Sequence, residues 1–257
     1  MAYIDVGQAQ LWVEDTGGTG VPLVLLHAAA GHSACWVEQR PLFEAAGFRV
    51  VAFDMRGFGR TRCNTGEETT GSVAGDLAML VEKLSLPRFC LLGTAYGGFG
   101  AIEYALDNPD SLHAVVISTS FGGLVDAEFA EVRKRHIRPD LMMLPTIERE
   151  LGASYRANDP EGVHRFHAME QGSYKAAGGR QAHHQPMTLP RLEGMKVPTL
   201  VIAGDEDLYA PPPVMRLFAD RITGVQFKVL AGVGHSAYWE KPGEWNELVN
   251  RFLAQHF

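Results

Sequence analysis

Short apolar runs alternate with segments of helical period along most of this chain, and that alternation narrows the folds open to it more than any other feature. The runs lie at 11–14, 22–26, 49–53, 89–92, 112–118, 199–203 and 226–230. Each has the length of a strand, and several carry almost no polar residue, the composition of strands covered on both faces. Between two of them Val73, Leu77, Leu80, Val81 and Leu84 share one helical face and stop before Pro87. Near the C-terminus Trp245, Leu248, Val249, Phe252 and Leu253 do the same behind Pro242, a residue suited to the first turn of a helix. Two strands followed by repeated strand–helix units imply an α/β fold, a mostly parallel sheet flanked by helices and opened by an antiparallel strand or two.

The stretch from 121 to 190 breaks the pattern. It has no strand-like run but helix-like pieces at 127–137, 146–155 and 160–171, so a helical insertion laid over the end of the sheet is expected. The expected division is a core of residues 1–120 and 191–257 with a cap of residues 121–190. Met142, Met143, Met169 and Met187 lie in the insertion and are expected to fill gaps in its packing. No repeat of about 20 to 50 residues marks a solenoid.

At 257 residues, 46% hydrophobic and 21% charged, the chain can bury a substantial core. Its 23 basic and 30 acidic residues leave a formal net charge of −7, which opposes binding to a phosphate backbone or an anionic membrane surface. No segment approaches the roughly 20 apolar residues of a membrane span, and the opening MAYIDVGQAQ lacks the basic and apolar regions of a signal peptide. Cys35, Cys63 and Cys90 are odd in number and form no CxxC pair, which points away from a disulfide framework or zinc finger and toward a reducing compartment. The expectation is a cytoplasmic protein that acts on a small molecule, with no nucleic-acid or membrane partner. Oligomeric state leaves no mark on the sequence.

The segment FCLLGTAYGGFGAIEYAL passes from a strand-like run through Gly93-Thr94-Ala95-Tyr96-Gly97-Gly98 into a helical pattern. So sharp a turn strains its central residue and admits only very small residues two places before and after it. Gly93 and Gly97 fill both places. The segment resembles the nucleophile elbow, G-x-S-x-G, of the α/β-hydrolase superfamily, with Ala95 where the family has serine. The resemblance covers roughly residues 2–120 and 190–257 and implies an α/β-hydrolase fold.

Four further segments carry it. In LVLLHAAAGHSACW, His27 precedes Ala28 and Ala29, and the resemblance implies that the backbone N–H of Ala29 is one oxyanion donor, with that of Tyr96 the other. FDMRGFGRT matches the family's D-x-R-G-x-G-x-[ST] turn through Asp54, Arg56, Gly57, Gly59 and Thr61, for which a structural role is expected. TLVIAGDEDLYAPP matches G-x-x-D-x-x-x-P through Gly204, Asp207 and Pro211, which implies Asp207 as the triad acid; Asp205 competes but is out of register with the glycine and proline. VLAGVGHSAYWEKP sets His235 on the last loop before the C-terminal helix. The order nucleophile, Asp, His is the order of the family.

With serine at 95, His235 would take the hydroxyl proton, Asp207 would orient the imidazole and the two amides would hold the oxyanion. Ala95 has no atom that can attack, and losing such a nucleophile typically lowers turnover about a million-fold. The expected function is an acyl hydrolase of an ester, lactone or related bond in a small, largely apolar molecule, inactivated by a Ser-to-Ala change at residue 95 and needing neither cofactor nor metal. Within the family the chain resembles small esterases, enol-lactonases and cofactor-free haloperoxidase-like proteins. An aspartate nucleophile fits less well, because His27-Ala-Ala-Ala stands where haloalkane dehalogenases and epoxide hydrolases carry H-G-x-P. Two alternatives are a naturally serine-less ligand-binding protein and a lyase or decarboxylase with His235 as its acid/base.

Other features have plainer readings. Gly232-Val-Gly234-His-Ser-Ala237 imitates a dinucleotide fingerprint, but only about twenty residues follow it, too few for the required βαβ unit. His164, His167, His183 and His184 lack a clear carboxylate companion and are expected to be exposed side chains of the insertion, not metal ligands. Arg133, Lys134, Arg135, His136 and Arg138 read as a solvated helix face from which one arginine could reach a substrate carboxylate. Trp36, Tyr96, Tyr238 and Trp239 stand near the motif loops, as pocket lining or as plain packing.

Overall fold

Apolar runs too short to be helices must find their backbone partners in one another. In the computed structural model, which describes residues 1–173 and 180–257, they pair into one sheet. Its strands are β1 (Ala2–Asp5), β2 (Ala9–Asp15), β3 (Val21–Leu26), β4 (Phe48–Phe53), β5 (Arg62–Cys63), β6 (Phe89–Thr94), β7 (Leu112–Ser118), β8 (Thr199–Gly204) and β9 (Gln226–Leu230). The spatial order is β1-β2-β4-β3-β6-β7-β8-β9, with β5 pairing to β2 off that path. β2 runs antiparallel to β1, β4 and β5. Every pair from β4 through β9 is parallel. The seven expected strands are all present. β1 and β5 lack an apolar run because they lie at the exposed margin of the sheet, where little side-chain surface is buried.

Successive residues of the central strands feed two cores, as a period of two requires. Val24, Leu26, Val51, Phe53, Leu91, Val115 and Val201 pack on one side with the helices Val73–Lys83, Tyr96–Asp107 and Pro212–Ala219. Leu23, Leu25, Val50, Leu92, Val116 and Leu200 pack on the other against Phe43, Trp245, Val249 and Phe252. The mostly parallel sheet flanked by helices is therefore observed. β3 has its two neighbours on opposite sides, β4 next in the chain and β6 after the crossover. The crevice past the carboxyl ends of β3 and β6 is thus the switch point at which such sheets bind ligands.

Among the described residues the segment between β7 and β8 holds no strand and carries the helices Ala127–His136, Thr146–Glu150, Ala153–Asn158, Pro160–Gln171 and Leu189–Leu192. Residues 174–179 of the expected insertion lie outside the described residues. One helix was expected over 146–155, and two are found. The break falls at Leu151-Gly152, where the Gly152 N–H leaves the helical pattern to donate to Glu240 at 2.9 Å. A Cβ on Gly152 would come within 2.9 Å of the Gly234 nitrogen, so a long-range contact, not local propensity, stops the helix. Met187 is a core residue and Met169 packs, partly buried, against two hydrophobic clusters, whereas Met142 and Met143 are exposed and fill no gap.

The Asp54–Thr61 turn is structural, as expected. Asp54 accepts from the Ser33 N–H at 2.6 Å and the Arg60 N–H at 2.7 Å, and Thr61 donates back to the Asp54 carbonyl at 2.5 Å. Arg56 forms a buried two-point ion pair with Asp76, at 2.7 and 2.5 Å. Gln181 donates to the same carboxylate at 3.0 Å. Removing one partner of a buried pair strands the other charge. Asp76→Ala is therefore expected to cost about 3–5 kcal/mol in urea denaturation, and an Asp76→Ala/Arg56→Met double variant to recover part of that loss.

Candidate active site

The strand-to-helix turn after β6 is sharp because three backbone segments converge on it. Ala95, at its apex, has φ 48° and ψ −115°, a conformation costly for any side-chain-bearing residue. A Cβ on Gly93 would lie 2.8 Å from the Ala101 Cβ, and one on Gly97 would lie 2.6 Å from the His27 carbonyl oxygen. Both glycines are required by space. The Ala95 N–H donates to the Ser118 carbonyl at 3.0 Å, which pins the apex to the end of β7.

The loop after β3 approaches from the other side. Burial lowers the pKa of His27 to about 4, so the ring is neutral. Its Nδ1 then donates to the Ala28 carbonyl at 2.7 Å and its Nε2 accepts from the Met55 N–H at 3.0 Å. The ring staples the Ala28-Ala29 backbone to the turn after β4. Ala29 and Tyr96 both line the cavity over Ala95. The Ala29 N–H makes no backbone hydrogen bond among the described residues.

Asp207 and His235 come from the loops after β8 and β9. His235 Nδ1 lies 2.9 Å from Asp207 Oδ2 and 3.0 Å from Oδ1. The N–H groups of Tyr209 and Ala210 also donate to Asp207, at 2.8 and 3.0 Å, and hold its plane. Burial opposes charge on the imidazole, but the Asp207 carboxylate, with Glu150 and Glu240 adding to it, outweighs burial and lifts the His235 pKa to about 9. With Nδ1 committed to Asp207, Nε2 is the ring nitrogen left for a ligand. Asp205 is turned away from this site and accepts from the Val233 N–H at 3.2 Å.

The structure thus brings Ala95, Ala29, Tyr96 and His235 to one cavity of about 400 Å³, with Asp207 behind the imidazole. Several lining residues had no local signature in the sequence. Tyr209 packs on His235 with ring centroids 4.6 Å apart. Thr119, at φ 48°, and Ser120 close the β7 end. Glu150, Arg149 and Arg180 also line it, beside Arg133 and Arg138 of the basic run from which an arginine is expected to be able to reach a substrate carboxylate, so the cavity is more polar than a largely apolar ligand would require.

One open reading is decided and two expectations are corrected. Trp36 and Tyr238 are core residues stacked near Trp245, and Trp239 packs edge-on against Phe166, which leaves Tyr96 as the cavity aromatic of those four. His183 is not exposed: it stacks on Phe99 and bonds the Gly122 carbonyl at 2.7 Å. His184 does have carboxylate companions, Glu103 and Asp107, and Arg191 also pairs with Asp107 at 3.1 Å.

A family model described as the alpha/beta hydrolase fold matches residues 21–242. The chain belongs to that family. A Mycobacterium tuberculosis member named as a non-heme bromoperoxidase is 28% identical to it over 93% of this chain and 96% of its own. A thermophilic esterase from Thermogutta terrifontis, solved with malate bound, superposes with a TM-score of 0.82 at 27% identity, covering 99% of this chain and 97% of the esterase. Est816, described as an N-acyl homoserine lactone degrading enzyme, superposes at 0.78 and 25% identity, covering 97% and 99%. The α/β-hydrolase fold of this chain accounts for the strand order and for the crevice that holds Ala95.

Glycine at the apex of the elbow would shed the strain that alanine carries there. Ala95→Gly is expected to raise stability by about 1 kcal/mol, while Gly97→Ala lowers it by more than about 2 kcal/mol, both read from urea denaturation. The His235 pKa stands above its ordinary value of 6.5, so its ion pair stabilises fully below that value and loses its contribution as pH rises through about 9. The stability difference between the parent and His235→Gln, measured by denaturation at about pH 6 and about pH 10, should therefore shrink at the higher pH.

Proposed function

We propose that this chain is an acyl hydrolase of the serine type, acting on an ester, lactone or related bond, whose nucleophile position holds alanine. The observation that carries this reading is the Asp207–His235 pair, held at 2.9 Å beside a cavity whose floor is a strained, side-chain-bearing Ala95. A turn released from nucleophilic duty gains by becoming glycine. Alanine keeps the strain and lacks one oxygen relative to serine, which fits a serine hydrolase inactivated at this residue.

With serine restored, each group has a role set by its position. The hydroxyl attacks the substrate carbonyl carbon as its proton passes to Nε2 of neutral His235, the form that predominates above about pH 9, and the Asp207 carboxylate holds the resulting imidazolium. The N–H groups of Ala29 and Tyr96 stabilise the oxygen that becomes negative. The imidazolium then returns the proton to the leaving alcohol, and water repeats the sequence on the acyl-enzyme. The segment 121–190 acts as a cap, since Arg133, Ile137, Leu141, Met142 and Arg149 close the cavity over the core loops. No helix among the described residues is long and apolar enough to cross a membrane, and the three cysteines are free, which suits the cytoplasm.

Ala95→Ser is expected to raise the hydrolysis of short-chain p-nitrophenyl esters or lactones by about 10⁴-fold or more over the parent, and His235→Ala in that background to remove the gain. A variant that binds ligands yet turns over no acyl substrate would favour the ligand-binding alternative.

A further inference from the structure

Among the described residues, three of the guanidinium groups that line the cavity have no carboxylate within ion-pair distance. Arg138 is neutralised by a two-point pair with Asp140, both contacts at 2.6 Å. Arg149 instead spends its Nη1 on the Tyr209 hydroxyl at 2.8 Å and its Nη2 on the Thr146 hydroxyl at 3.2 Å, both neutral, and its buried Nε–H has no acceptor among the described residues. Arg133 lies 5.0 Å from the Phe121 ring centroid and 5.9 Å from that of Phe129. Arg180 lies 5.4 Å from the ring centroid of Tyr96. Among the described residues none of the three has a carboxylate oxygen within 4.0 Å of its guanidinium, although the chain as a whole is acidic at −7.

Such a lining is poorly explained by stability. Aromatic rings orient a guanidinium and leave its donors free, and guanidinium forks match carboxylates two bonds at a time. Glu150 is the cavity's one acidic lining residue, and it does not cancel the excess. Its carboxyl interacts with His235, Arg149 and Arg180 but lies beyond ion-pair distance of the two guanidinium groups among the described residues, and burial raises its pKa. The remaining lining, Phe99, Phe121, Ile137, Leu141 and Met142, is apolar and suits a short carbon chain.

Resting on the acyl-hydrolase reading, we propose that the substrate carries a carboxylate in addition to its scissile acyl bond, joined to it by a short apolar chain. Arg149 holds that carboxylate, with Arg133 and Arg180 supplying the surrounding positive charge. The class is that of half-esters or carboxylated lactones, not the largely apolar esters expected from sequence.

Binding to the Ala95 protein and turnover by the Ala95→Ser variant test separate links of this proposal. Calorimetric titration of the unaltered protein with monoethyl glutarate and with diethyl glutarate compares ligands that differ in one charge. The half-ester is expected to bind about ten-fold tighter or more, with an advantage that falls as salt is added. Arg149→Gln should erase that advantage. Arg133→Gln, which disturbs no hydrogen bond to Tyr209, should reduce it even if the first variant folds poorly. Equal affinity for the two glutarates, or an advantage untouched by Arg133→Gln and Arg149→Gln, overturns the proposal. In the Ala95→Ser background p-nitrophenyl hydrogen glutarate should show the higher kcat/KM against p-nitrophenyl valerate, chiefly through KM. A variant silent toward both esters overturns the acyl-hydrolase reading, while the titrations still decide whether the cavity selects a carboxylate.

Discussion

The approach of the turn after β6 to the end of β3 is the constraint on which the site depends. Gly97 packs its Cα against the Leu26 and His27 carbonyls, and Gly93 leaves room for Ala101. With both glycines in place the helix Tyr96–Asp107 can begin at the apex residue itself, so residue 95 is lifted clear of the sheet and held at φ 48°. That single geometry brings the loop after β3 and the loop after β6 to one crevice. The neutral His27 ring completes the arrangement, because only the tautomer protonated on Nδ1 can both donate to Ala28 and accept from Met55.

The histidine loop is fixed by a different device. Glu240 accepts from the Gly152 and Gly234 N–H groups at 2.9 Å each, and from the Ser236 N–H at 3.2 Å. One carboxyl thus ties the helical segment between β7 and β8 to the loop that carries His235. Burial pushes this carboxyl up to about 7, against the pull of those three donors. Placing Glu240, Glu150 and Asp207 around one imidazole is unfavourable for the carboxylates and favourable for the imidazolium, which is the species the proposed acyl transfer must form.

Strands and motif loops were legible because their signals are local. A run such as Leu112–Ser118 declares its burial through composition, and Asp207 and His235 stand in short patterns with glycine and proline in register. Residues whose meaning lies in a distant partner left no such trace. Asp76 is one of two carboxylates on an amphipathic helix until it meets Arg56, 20 positions away. The helix break at Gly152 depends on Glu240, 88 positions away. Arg149 looks like a solvated residue in Thr146–Glu150, and becomes part of the cavity because of where Tyr209 stands. His183 looks exposed in sequence for the same reason, since its shelter is the Phe99 ring.

The division of labour between core and insertion follows from these two kinds of signal. Everything that would make and break an acyl bond sits at the ends of β3, β6, β8 and β9, where backbone geometry demands particular residue types. The groups that would choose a substrate sit mainly between β7 and β8, where short helices tolerate many sequences and few positions are sterically dictated. A change at residue 95 therefore alters chemistry while leaving the arginine-lined cavity intact, because the Ala95 Cβ already occupies the place from which a serine hydroxyl would project. On the proposed reading, binding and bond cleavage would be separable for that physical reason, and the alanine form would let the preference of the cavity be measured without turnover.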